Sequence, residues 1–189
     1  MPEPDHLPAA TRASLPVRPA CLHVVVMGVA GCGKSAVGRL IAQQLGLPLI
    51  EGDDFHPASN VSKMQRGVPL TDDDRADWLR TLGLELARHE GGAVLTCSAL
   101  KAAYRDSLRA AATPLFFIHL KISEAESLQR VARRGGHFYP PSLVASQFAA
   151  LQDPCGEPGV LTLDGESPLT DVAEHAAQWL TAATSHLYY

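Results

Sequence analysis

One stretch constrains this chain more than any other: Gly28-Val29-Ala30-Gly31-Cys32-Gly33-Lys34-Ser35. It has the spacing of a P-loop, a glycine followed by four residues and then Gly-Lys-Ser. The residues before it, Leu22 to Met27, form a short valine-rich apolar run that reads as a buried strand. After it, Val37, Leu40, Ile41 and Leu45 recur at helical spacing, and Gly46 can end that helix. The loop therefore lies between a strand and a helix, as its mechanism demands. Backbone N–H groups curl around phosphate oxygens, and the helix N-terminus adds partial positive charge. Lys34 is placed to reach the β- and γ-phosphates, and the Ser35 hydroxyl to ligate Mg²⁺. All eight residues are thus read as a nucleoside triphosphate site.

The rest of the composition narrows the setting. A chain of 189 residues suggests one domain with room for an embedded lid, and 46% apolar residues supply a core. A net charge of −4 and a pI near 6.0 argue against an extended nucleic-acid surface. Cys21, Cys32, Cys97 and Cys155 are scattered, form no C-x-x-C pair, and read as reduced thiols of a cytoplasmic protein. No apolar run approaches a membrane span. Residues 1–20 carry Pro2, Pro4, Pro8, Pro16 and Pro19 without a signal-peptide apolar core, and read as a disordered tail. The domain is expected over 21–183, with a second tail at 184–189.

Pro48 to Glu51 form a second strand, running into Gly52-Asp53-Asp54-Phe55-His56-Pro57. Ligands collect at the carboxyl ends of strands in open α/β sheets, where a carboxylate serves as base or helps hold a metal. A solvated acidic turn explains the same residues structurally. Asn60 to Leu70 read as a short helix and a loop. Thr71 then caps a longer helix whose first turn, Asp72-Asp73-Asp74, suits the helix dipole and whose buried stripe is Trp78, Leu79, Leu82 and Leu86. Ala93 to Cys97 are the third strand. A helix is expected from Ser98, with Leu100, Ala103, Tyr104, Leu108 and Ala111 inward. On it, Lys101, Arg105 and Arg109 fall at i, i+4 and i+8, either a solvated basic face or a site for an anion.

Leu115 to Lys121 are the fourth strand, and Ser123 to Glu126 have the form of a capping box. The helix after it carries Arg130, Arg133 and Arg134 and stops at Gly135-Gly136, before His137. Arginines beside a glycine hinge fit either a lid closing over phosphates, at about 130–147, or a basic surface turn. Leu143 to Leu151 read as helix, Val160 to Leu163 as the fifth strand, and Ser167-Pro168 as the start of a last helix lined by Leu169, Val172, Ala173, Ala176 and Leu180. Strands alternating with helices give a parallel sheet covered on both faces, an α/β fold.

Several patches together resemble the gluconokinases among the P-loop small-molecule kinases: MGVAGCGKS, EGDDFHP, Asn60 to Met64, GVPLTDDDRADWL, CSALKAAYRD, and RVARRGGHF followed by SQF. They run in order from Met27 to Phe148. The resemblance implies a nucleoside-kinase-like three-layer sandwich with five parallel strands in the order 2-3-1-4-5 and a helical lid. It implies ATP and Mg²⁺ as cofactors, D-gluconate phosphorylated at its 6-hydroxyl, and a homodimer that binds neither nucleic acid nor membrane.

Carried onto this chain, the resemblance makes Asp53 the residue that orients and deprotonates the acceptor hydroxyl, and puts Glu51 near the metal with Ser35. Asp54 falls at a variable position. His56, Lys63, Lys101 and Arg105 are implied to line the gluconate pocket, Arg130 and Arg134 to meet the phosphates, and His137 to close the lid motif. Another kinase of the same fold, shikimate-like or nucleoside monophosphate, is the nearest alternative. A nucleotide-dependent switch is disfavoured because no N-K-x-D guanine motif is present.

Overall fold

A computed structural model describes residues 21–133 and 139–185. Arg134 and His137 lie outside these residues, as does the expected N-terminal tail. Along the chain come β1 (His23–Met27), α1 (Lys34–Leu45), β2 (Leu49–Glu51), a 3-10 turn (Gly52–Phe55) and α2 (Ala58–Gln65). Then follow α3 (Asp72–Arg88), β3 (Ala93–Thr96), α4 (Ala102–Ala111), β4 (Leu115–Lys121) and α5 (Glu124–Arg133). A 3-10 turn (Pro141–Leu143), α6 (Val144–Ala150), β5 (Val160–Asp164) and α7 (Leu169–Ser185) complete it.

Five parallel strands pair in the order β2-β3-β1-β4-β5, as expected. β1 is central and wholly buried because both faces of the sheet are covered by helices. The two-residue period of a strand divides its side chains between the layers. Val24 and Val26 pack with Val37 and Ile41 of α1 and Val172, Ala176 and Leu180 of α7. Val25 and Met27 pack with Trp78, Leu82 and Leu86 of α3 and Leu108 of α4.

Helix ends follow the local chemistry. Gly46 caps α1 in the left-handed conformation, and Thr71 and Asp74 form a full capping box on α3. At Ser123 the expected box is half made. Ser123 Oγ accepts from Glu126 N–H at 3.3 Å, but the Ser123 N–H donates to Glu166, from beyond β5, at 2.9 Å. Glu126 is drawn instead to Arg130 Nε at 2.6 Å.

Three expectations are corrected. The helix expected from Ser98 begins at Ala102, because Ala99 is left-handed at φ 44° and the carbonyls of Ala99 and Leu100 bond to Arg105. On α4, Ala103 and Ala111 face solvent while Arg105 is buried among Tyr104 and Leu108. Leu169 of α7 is exposed, since the buried stripe begins at Val172. α7 runs through Ser185, and Thr184 is buried with its hydroxyl donating to the Leu180 carbonyl.

β2 and β3 meet tightly just before the first 3-10 turn. A Cβ on Gly52 would lie 2.2 Å from the Thr96 carbonyl oxygen, so the backbones approach there only because the side chain is missing. Gly91 has open space at the same position. Gly52→Ala is expected to lower stability by roughly 1–3 kcal/mol through overpacking. Gly91→Ala should stay within about 0.5 kcal/mol. Urea midpoints that shift equally in the two variants would show that the Gly52 contact relaxes without cost.

Candidate active site

The carboxyl ends of β1, β2 and β3 form one rim, and the chain leaves each of them into a loop of the same cavity. Gly28 opens the first loop at φ 140°, and its N–H donates to the Ser98 carbonyl at 3.3 Å, tying the loop to the segment after β3. A Cβ on Gly28 would lie 2.7 Å from the Leu120 carbonyl, so this position needs glycine on both conformational and spatial grounds. The first helical bond of α1 runs from Val37 N–H to the Gly33 carbonyl, 3.0 Å. The N–H groups of Lys34, Ser35 and Ala36 therefore precede the helical ladder and remain available to an anion.

Ala30, Gly31, Gly33, Lys34 and Ser35 line the cavity. Val29 and Cys32 are turned into the core instead, and burial pushes the Cys32 thiol up. Lys34 Nζ donates to the carbonyls of Gly28 and Val29, at 3.2 and 3.0 Å. Other elements brace the loop. Ser127 of α5 donates to the Ala30 carbonyl at 2.7 Å, and the Ala30 N–H donates to Gln147 of α6 at 2.6 Å. Arg130 Nη1 reaches the carbonyls of Gly31 and Gly165, at 3.5 and 2.9 Å.

Ser35 Oγ donates to Glu51 Oε2 at 2.9 Å, and Thr96 Oγ1 donates to the same oxygen at 2.7 Å. A hydroxyl and a carboxylate oxygen side by side at a P-loop are hard donors suited to Mg²⁺, which keeps several waters and binds mainly through phosphate. The donor set therefore fits that ion. Thr96 orients Glu51 and was not singled out from the sequence; its only signal there was its place at the end of a strand beside the loop.

The second loop brings Asp53 and His56 onto the cavity wall, their side chains 4.0 Å apart, while Asp54 does not line it. His56 stacks on Trp78, ring centroids 4.1 Å apart, and Trp78 Nε1 donates to the Gly52 carbonyl at 2.8 Å. Burial lowers the His56 pKa, with Asp53 pulling it up and Arg75 pushing it down.

The remaining expected pocket residues are elsewhere. Lys63 pairs with Asp74 at 2.8 Å, and with Thr71 it holds that carboxyl down to about 2. Lys101 binds both oxygens of Asp72, at 2.6 and 2.8 Å, and Tyr104 donates to the same carboxylate. Arg105 is fully buried; its Nε and Nη2 grip Glu157 and its Nη1 holds the Ala99 and Leu100 carbonyls. None of the three lines the cavity, and Arg105 spends its fork on Glu157 while clamping the loop after β3. The acids of α3 that the helix dipole explained also have tertiary partners, which periodicity does not reveal.

Cavity-lining residues not singled out from the sequence include Arg75, Ser98, Tyr139, Ser146 and Gln147. Arg75 and Gln147 were inside matching patches, DDDRADWL and SQF, but neither has a local pattern that marks it as functional.

Two predictions follow from these contacts. Arg105→Ala leaves Glu157 without its main partner and removes a buried cation, and should cost about 3–5 kcal/mol. Arg109→Ala, whose side chain is 28% exposed, should cost at most about 1 kcal/mol. Chemical denaturation of both checks the difference. Burial also lowers the pKa of His119 below the ordinary 6.5, as it does for His56. The unfolded chain then takes up these protons first. Stability should be complete above pH 6.5 and fall as pH drops below it, towards the lowered folded values. In urea titrations at pH 7.5, 6.5 and 5.5, the double variant His56→Asn/His119→Gln should show a shallower decline than the unaltered chain.

The AAA domain family matches residues 24–158. A gluconokinase of Gluconobacter oxydans is 47% identical over 150 residues, covering 76% of this chain and 82% of that protein. The thermosensitive gluconokinase of Escherichia coli is 38% identical, covering 84% and 87%. The crystal structure of a gluconokinase from Sinorhizobium meliloti superposes with a TM-score of 0.81 at 45% identity, covering 90% of this chain and 97% of that one. With that identity over most of its length, the chain belongs to the gluconokinase family.

Proposed function

We propose that this protein transfers the γ-phosphoryl group of ATP to the 6-hydroxyl of D-gluconate, giving 6-phospho-D-gluconate and ADP. The observation that carries the proposal is a carboxylate, Asp53, on the wall of the cavity that Lys34 and Ser35 also line. An acceptor hydroxyl held there stands between a base and a phosphate cradle. As the new O–P bond forms and the bond to the β-phosphate oxygen breaks, Asp53 takes the hydroxyl proton. Lys34 and Arg130 offset the charge that gathers on the phosphoryl oxygens and the leaving group. Arg134 and His137, outside the described residues, belong to the same proposed lid. Ser35 and Glu51 would hold Mg²⁺, which would supply charge neutralisation at the phosphates. His56, kept neutral by burial and stacked on Trp78, is suited to hydrogen-bond acceptor hydroxyls. The proposal extends to a cytoplasmic homodimer, which sedimentation would check.

A coupled assay with ATP, Mg²⁺ and D-gluconate, run beside shikimate and AMP, tests the reading. Product is expected from gluconate alone. Lys34→Ala should abolish turnover, and Asp53→Asn should lower kcat by about 10²–10⁴-fold. Asp54→Asn should change it less than about threefold, as expected of a surface substitution away from the chemistry. Small, equal losses in the two aspartate variants would remove Asp53 from the chemistry.

A further inference from the structure

An acid acceptor must be told apart from a neutral polyol, and that requires a cation at its carboxylate. The resemblance put Lys63, Lys101 and Arg105 in the gluconate pocket, but each is bound to a carboxylate of the chain itself, Asp74, Asp72 and Glu157, and none lines the cavity. Among the described residues, the lysine and arginine side chains on the cavity wall are Lys34 and Arg75. Lys34 belongs to the phosphate loop and holds two of its carbonyls. Arg75 projects from the first turns of α3, on the wall that also carries His56, Trp78 and Tyr139.

The guanidinium of Arg75 is anchored on one side. Its Nη1 donates to the Leu70 carbonyl at 2.5 Å and lies 3.4 Å from that of Thr71, and its Cζ sits 5.9 Å from the Tyr104 ring centroid. Nε and Nη2 have no hydrogen-bond partner among the described residues. These two nitrogens form the side-on fork that matches a carboxylate bidentately. The same molecule shows that fork satisfied at Arg105, where Nε and Nη2 grip Glu157 while Nη1 holds two carbonyls. Arg75 repeats the arrangement, with Nη1 on backbone and the fork lacking a carboxylate from the protein. Burial is the larger influence on the cavity's titratable groups, lowering the His56 pKa and pushing Tyr139 up to about 12, and the charge of Arg75 adds to the first shift and opposes the second.

We propose that Arg75 is the acceptor-specificity residue, its Nε–Nη2 fork taking the carboxylate of the sugar acid. The assignment rests on the proposed function and makes the selection of an acid over a neutral polyol a property of α3, not of α4. Pre-anchoring by Leu70 and Thr71 removes rotamer freedom before the acceptor arrives, so less entropy is lost on binding.

The test is steady-state kinetics with D-gluconate and with its neutral amide, D-gluconamide, for the unaltered protein, Arg75→Gln, Arg75→Lys and Lys101→Gln. Arg75→Gln should raise the KM for gluconate about 10–100-fold, the scale of a lost charge-assisted hydrogen bond. It should leave the KM for ATP within about threefold, and bring the acid-to-amide preference in kcat/KM towards one. Arg75→Lys should restore part of that preference, since a point charge replaces a fork. Equal losses for acid and amide would mean that Arg75 only props the Leu70 turn, and would overturn the assignment. So would a raised KM for ATP, or the selective loss appearing in Lys101→Gln instead. If the unaltered protein phosphorylates gluconate and Arg75→Gln keeps its KM, the assignment alone fails. If the unaltered protein phosphorylates neither compound, the functional reading fails and the assignment with it.

Discussion

The Glu51 carboxylate is the joint on which the site depends. One of its oxygens accepts from Ser35 on α1 and from Thr96 on β3, so three consecutive elements of the rim are tied at a single atom. Thr96 extends the joint by accepting from the Gly52 N–H, which sets the start of the turn carrying Asp53 and His56. A side chain at 52 would meet the Thr96 carbonyl oxygen at 2.2 Å, so the close approach favours glycine there. The phosphate loop and the acidic turn are thus held together by hydrogen bonds that converge on Glu51 and Thr96.

Around that joint, the protein arranges its charges so that most cations are already answered. Lys63, Lys101, Arg105 and Arg109 each meet a carboxylate from a distant part of the chain. Such pairing is weak support for stability at the surface but decides which positive charges an anionic ligand can recruit. The phosphate side keeps Lys34, while Arg130 is shared between Glu126 and the carbonyls of Gly31 and Gly165 beside the phosphate loop. On the α3 wall of the cavity, Arg75 bonds to no carboxylate among the described residues.

The loop after β3 shows how tertiary contacts override local preference. Helical spacing from Ser98 is good, yet Ala99 sits in the left-handed region and the helix starts at Ala102. Arg105 takes the two carbonyls that a helix would have used, Gln152 N–H donates to the Leu100 carbonyl, and Gln152 Oε1 accepts from the Ala102 N–H. Ser98 is thereby left on the cavity wall, with its carbonyl holding Gly28.

What could be read from the sequence was whatever local periodicity encodes. The valine run, the P-loop spacing, the stripe Trp78-Leu79-Leu82-Leu86 and the Thr71 cap depend on neighbours within a turn or two of chain, and the structure keeps them. Family resemblance added the strand order, which the sheet keeps, and singled out Asp53, which lines the cavity while Asp54 does not. The use made of each cation was decided only by the tertiary structure. Lys101, Arg105 and Arg75 look alike as basic residues on amphipathic helices. Their roles part because Asp72 and Glu157 arrive from 29 and 52 residues away and occupy two of them, and no carboxylate among the described residues bonds to the fork of the third. Pairing over such separations is set by how helices pack on the sheet, and no local pattern in the chain carries it.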